Sequence, residues 1–142
     1  MPRQQAPSSH RSGCPISISL EIFGDRWSLL IVRDLMFKQK TRYGEFLNSD
    51  ERIATNFLAD RLDKLVACGV IEKRQDPMNS RASVFALTNK GRDLLPLMIE
   101  ITLWSAKYDP DTNAPAILLR RAKSNREALL RDLMTSLKSA AA

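Results

Sequence analysis

The stretch Thr55-Asn56-Phe57-Leu58-Ala59-Asp60-Arg61-Leu62-Asp63-Lys64-Leu65-Val66-Ala67-Cys68-Gly69 decides the reading of the chain. Leu58, Leu62 and Leu65 recur at i, i+4 and i+7, which is one buried stripe of an α-helix, and Gly69 supplies the stop. Immediately after it the period changes. Residues 70–74 and 83–87 are short β-compatible runs, separated by Asp76-Pro77-Met78-Asn79-Ser80-Arg81, which is turn chemistry. A helix followed at once by a hairpin with a basic tip is therefore expected.

Working upstream, Thr41 is a plausible N-cap for a short helix with Tyr43, Phe46 and Leu47 pointing inward, and 48–52 reads as the turn into the helix above. Before that, Asp25 caps a helix carrying Trp27, Leu30, Ile31 and Leu35 at helical spacing. A first helix over 15–23 opens on Pro15, buries Ile18 and Ile22, and ends at Gly24. Downstream, Thr88 or Asn89 opens a long helix to about Tyr108, broken by Asp109-Pro110-Asp111. Ser124-Asn125-Arg126-Glu127 then reads as a capping box before a stripe of Leu130, Leu133, Met134 and Leu137. The fold class expected is mainly α with one small β-hairpin wing (α+β), a winged helix-turn-helix. Residues 1–13 form a disordered polar tail, 14–110 the winged domain and 111–142 a helical extension.

Composition narrows the function. A chain of 142 residues holds one domain with a real core, and a net charge of +6 suits a polyanionic partner. Two cysteines, Cys14 and Cys68, exclude a disulfide scaffold, and the single histidine, His10, leaves little for a metal centre or a Ser-His-Asp triad. Neither a metal nor a cofactor is expected. No apolar stretch approaches the ~20 residues of a membrane span, and a cytoplasmic location is expected.

On the 55–68 helix, Asn56, Asp60 and Asp63 lie opposite the leucine stripe, with Thr55, Ala59 and Lys64 on the flanks. Such a helix fits the major groove of DNA. Asn56 can bond adenine through two atoms, Thr55 can meet a phosphate or a thymine methyl, and Asp60 can accept from a cytosine amino group. The two aspartates repel phosphates, so positive charge must come from Arg42, Arg52 and Arg61 around the helix pair and from Lys73, Arg74 and Arg81 on the hairpin. Ordinary solvated charges on a helical domain are the plainer reading of the same pattern.

From Cys14 to about Tyr108 the chain resembles the HxlR family of winged-helix regulators. The matching residues are Cys14-Pro15-Ile16, Gly24-Asp25-Arg26-Trp27-Ser28, Arg42-Tyr43-Gly44-Glu45-Phe46-Leu47, Ile53-Ala54-Thr55-Asn56 with Leu58-Ala59-Asp60-Arg61-Leu62, Gly69-Val70-Ile71, and Phe85-Ala86-Leu87-Thr88-Asn89-Lys90-Gly91. Leu95-Pro96 and Trp104 follow in the long helix. The wing departs from the family pattern, with Asp76-Pro77-Met78-Asn79-Ser80-Arg81 where Pro-Pro-Arg is common.

The resemblance implies a transcriptional regulator acting as a homodimer, here expected to be a repressor on a pseudo-palindromic operator. It places the interface on the first and the long helices: Ile18, Ile22, Leu94, Leu97, Met98, Ile101, Trp104 and Tyr108. The residues agree, since the apolar side chains of the long helix cover more than one stripe. Thr41 joins the DNA-binding set at the start of the third helix. Several family members resemble sensors of oxidants, quinones or aldehydes through a cysteine at the position of Cys14, so Cys14 is either such a sensor or a small apolar residue at a helix start. A helix dipole beside it would favour the reactive thiolate, and a small-molecule effector is open. Two rivals remain. A thiol enzyme built on Cys14 lacks a base, the only histidine being in the tail. A winged-helix module that binds protein without DNA draws on the acidic Asp60 and Asp63.

Overall fold

The protein is described by a computed structural model covering residues 9–141. Its elements run α1 (Pro15–Phe23), α2 (Ser28–Phe37), α3 (Tyr43–Leu47), α4 (Thr55–Ala67), β1 (Ile71–Asp76), β2 (Asn79–Leu87), α5 (Asn89–Arg92), α6 (Leu95–Tyr108), α7 (Ala116–Ser124) and α8 (Arg126–Ala140). The fold is the expected winged helix-turn-helix, mostly helical with one antiparallel hairpin.

Leu58, Leu62 and Leu65 of α4 are buried against Ile31 and Val32 of α2, Phe46 of α3, Ile71 of β1 and Phe85 of β2. Each such side chain withdrawn from water contributes about 1.5–3 kcal/mol, and together they fix α4 by its inner face. Gly69 follows α4 at φ +78°, a left-handed turn that costs glycine little. Gly91 sits where the chain comes back over that turn, and a Cβ there would meet the Val70 carbonyl oxygen at 2.2 Å.

Several local expectations are corrected. The third helix starts at Tyr43 with Arg42 as N-cap, and Glu45 Oε1 accepts from the Arg42 amide at 3.1 Å. Thr41 is instead extended backbone beside the wing. Its carbonyl accepts from Phe85 N at 2.8 Å, and Arg42 forms a β-bridge with Val84. The hairpin is longer and its turn tighter than read: Asp76 pairs with Asn79, so Pro77 and Met78 alone make the turn.

The long helix is two. α5 ends at Arg92, and α6 begins at Leu95 with Pro96 in its first turn. Proline has no N–H to give the carbonyl four residues back and its ring crowds that carbonyl, so the helix restarts. The last helix is capped by Asn125, not Ser124; Asn125 Oδ1 accepts from Ala128 N at 3.1 Å.

Of the expected disordered tail, residues 1–8 lie outside the described residues. Its remainder is bound to α1: Glu21 accepts from the Arg11 amide at 3.0 Å and pairs with His10 at 2.5 Å. Beyond α6, α7 and α8 pack as a pair, with Leu129 buried, Arg121 bonded to Asp132, and Arg126 bonded to Glu100 of α6.

Candidate nucleic-acid interface

Opposite the buried leucines, α4 presents Thr55, Asn56, Phe57, Ala59, Asp60, Asp63 and Lys64 to solvent. Its N-cap, Ala54, offers no side-chain acceptor, so no side chain caps the amides of the first turn at Thr55 and Asn56. The angle between α3 and α4 is held from both sides. Tyr43 Oη donates to the Thr55 carbonyl at 2.9 Å. Below the turn, the buried Asp34 carboxylate gathers Arg33, Lys40 and Ser49, and Lys40 Nζ also donates to Ser49 Oγ at 2.7 Å. Arg33 also grips Glu51; hydrogen bonding to this guanidinium holds the Glu51 carboxyl below its ordinary range.

Between the start of α3 and the wing lies an open cleft of about 360 Å³, lined by Arg42, Tyr43, Gly44, Lys73, Arg81 and Ser83 among others. Three of the cations named from the sequence thus converge on one channel beside α4. Arg42 is joined to Asp76 at the wing turn, and its hydrogen bond and charge hold the Asp76 carboxyl low. Asp76 Oδ1 also accepts from Met78 N at 2.9 Å, which closes that turn. Arg74 pairs with Glu72 on β1 and is not among the residues lining the cleft. Arg52 is exposed at φ +57°, ending the turn before α4. Thr41 is exposed but is not among the residues lining this cleft; it lines a second cavity, with the end of α2 and the end of α8.

Arg61 is a correction. Its side chain is only 18% exposed, its Nε lies 3.1 Å from Asp25 Oδ1, and its Nη1 holds Asp60. It ties α4 to Asp25, just ahead of the α2 N-cap Trp27, and neutralises one of the two aspartates instead of facing outward. The sequence reading also passed over Phe57, 46% exposed on the outer side of α4; an aromatic residue off the leucine stripe was the available signal.

The residues assigned to dimerisation divide into two groups. Met98 is buried in the subunit's own core, and Ile22 of α1 and Leu94 at the α5–α6 break pack against that core. Ile18 and Leu97 are half-buried. Ile101, Trp104 and Tyr108 remain exposed, Trp104 by 68%, with the Trp104 and Tyr108 rings 5.7 Å apart. Ile16 and Leu20 of α1 are exposed as well.

Cys14 is exposed at the N-cap of α1, whereas Cys68 is half-buried at the end of α4 with Sγ 3.5 Å from the Leu65 carbonyl oxygen. Among the described residues no cluster of His, Cys, Asp and Glu could hold a metal ion, and no helix is long and apolar enough to cross a membrane.

The family model for the HxlR-like helix-turn-helix matches residues 22–113. The chain belongs to the HxlR-like helix-turn-helix family. It is therefore related to DNA-binding transcriptional regulators. An uncharacterised HTH-type transcriptional regulator of Mycobacterium tuberculosis is 33% identical over 113 residues, 79% of this chain and 70% of its own. Among solved structures, PA1607, described as a candidate transcription factor, superposes with TM-score 0.66 at 40% identity, covering 74% of this chain and 73% of its own. The transcriptional regulator YodB of Bacillus subtilis, in its reduced form, gives TM-score 0.57 at 25% identity over 71% of this chain and all of its own. YodB has also been solved diamide-treated and quinone-bound.

Proposed function

We propose that this HxlR-like protein is a cytoplasmic, sequence-specific repressor that binds a pseudo-palindromic operator as a homodimer, without enzymatic activity. The observation that carries the reading is the outer face of α4: polar, solvent-facing, anchored by its buried leucines, and flanked by the Arg42–Lys73–Arg81 cleft. Thr55, Asn56, Ala59 and Asp60 read bases, while Arg42, Lys73 and Arg81, with Arg52 and Arg74 on the flanks, contact phosphates. The winged body spans 14–110, and 111–142 is an added helical arm. Ile101, Trp104 and Tyr108 with the exposed side of α1 form the subunit contact, which sets two α4 helices about one duplex turn apart.

Cys14 is the point at which an oxidant or electrophile acts. Its exposure and the diamide-treated and quinone-bound forms of YodB support this assignment. The acidic face that favoured a protein-binding module is weaker than its sequence suggested, since Asp60 is paired with Arg61.

The test is footprinting of purified protein on its own upstream region, with Asn56→Ala as the probe. A two-fold symmetric footprint is expected. Asn56→Ala should lose about 1–3 kcal/mol on that site and leave random-sequence affinity unchanged. A protein that ignores DNA at low salt would overturn the reading.

A further inference from the structure

Separated from the cationic cleft by Phe85, which lines both, the end of α2, strand β2 and the last turn of α8 enclose an open cavity of about 310 Å³. Leu35, Phe85, Leu87, Leu137 and Ala140 give it apolar walls, and Arg92 provides its one charged side chain. Phe85 and Leu87 are buried, so these walls are set by the core rather than by loose surface chains.

The Arg92 guanidinium is held in place by neutral groups alone. Nη1 donates to the Leu87 carbonyl at 2.8 Å and Nη2 to the Asn89 side-chain oxygen. Nε–H is buried and has no acceptor, and among the described residues no carboxylate pairs with this cation. A half-buried cation without a counter-charge is costly, and an unused N–H beside it adds to that cost.

We propose that this cavity binds a small monocarboxylate with a compact apolar body, its carboxylate on Arg92 and its body between Phe85, Leu87 and Leu137. The volume is at the small end of the roughly 300–1,000 Å³ of ligand pockets and is ample for an acid with a single ring or a branched chain. A phosphate ester fits less well, because one guanidinium among apolar walls leaves the second negative charge unmatched. Leu137 and Ala140 belong to the arm beyond the residues matched by the family model, so the site joins that arm to the wing strand. Any effect of occupancy on DNA affinity rests on the function proposed above. Binding itself does not.

The test is therefore made without DNA. The full chain, labelled with ¹⁵N, is titrated with benzoate, phenylacetate and the neutral benzamide while amide shifts are followed. At least one acid should shift the amides of residues 85–87 and 137–140 saturably, with benzamide at least about tenfold weaker. Arg92→Gln should weaken the acid about tenfold or more, and Ala140→Trp, which fills the cavity from the arm, should abolish the shifts in a protein whose other resonances are unmoved. The proposal is overturned if neither acid moves those amides by about 10 mM, where even a Kd near 1 mM would saturate. Equal binding of benzamide, or unchanged binding by Arg92→Gln or Ala140→Trp, overturns it too.

Discussion

Arg61, on the helix assigned to read DNA, has its Nε 3.1 Å from Asp25 Oδ1, two residues ahead of the α2 N-cap Trp27. Asp25 also accepts from Trp27 N at 2.7 Å and Ser28 N at 2.9 Å, so one carboxylate starts α2 and positions α4. Burial alone would push the Asp25 carboxyl up. The Ser28 hydroxyl and amide, the Trp27 amide and the Arg61 charge outweigh it and hold the group low. The folded protein then binds fewer protons than the unfolded chain on acidification. The stabilisation is complete above the unfolded value of about 3.9 and is lost as pH falls through the lower folded value. Thermal melts at falling pH should show stability declining below about pH 4, and Asp25→Asn, less stable at neutral pH, should decline less steeply. Parallel pH curves for the two proteins would refute the assignment.

Arg42 and Asp76 make opposite predictions for salt dependence. If Arg42 contacts a phosphate, Arg42→Ala should lower the slope of log K against log salt by about 0.9. Asp76→Asn frees that guanidinium from its acidic partner, so the slope should stay the same or steepen, although the wing turn loses its carboxylate. Binding measured at several salt concentrations checks both. A slope unmoved by Arg42→Ala would remove this residue from the interface.

Trp104 is the largest exposed apolar side chain on α6, and a charge in its place should separate subunits. Trp104→Glu is expected to raise the dimer dissociation constant at least about tenfold, read by sedimentation equilibrium. The fold should survive, because Trp104 is 68% exposed in the single subunit. A Met98→Glu protein should instead fail to fold, since Met98 belongs to the core.

Cys14 is tested by oxidant response. Diamide or a quinone should weaken operator binding by the wild type and leave Cys14→Ser unaffected. Equal responses would assign the chemistry elsewhere, and Cys68, half-buried at the end of α4, is the remaining thiol.

The elements set by neighbours in sequence were legible. Leu58, Leu62, Leu65 and Gly69 announce α4 by local spacing alone, and Asp25, which accepts from the Trp27 and Ser28 amides, announces the start of α2, although the N-cap position itself is Trp27. What escaped the reading depends on partners distant in the chain. Arg61 reads as a free cation until the fold brings Asp25 to it, and Thr41 reads as a cap until Phe85 claims its carbonyl. The apolar run from Leu94 to Trp104 covers the helix surface all round, so periodicity could not say which side the subunit keeps. The break before Pro96 decides it, sending Met98 inward and leaving Trp104 outside.

The strand-like pairing of Thr41 with Phe85 has a mechanical corollary. The hairpin is stitched to the segment that leads into α3, so it cannot swing independently to follow a groove of different width. On the operator proposed above, misfit would then fall to the nucleic acid. Easily kinked pyrimidine–purine steps placed between the half-sites should be favoured there even though no side chain touches them.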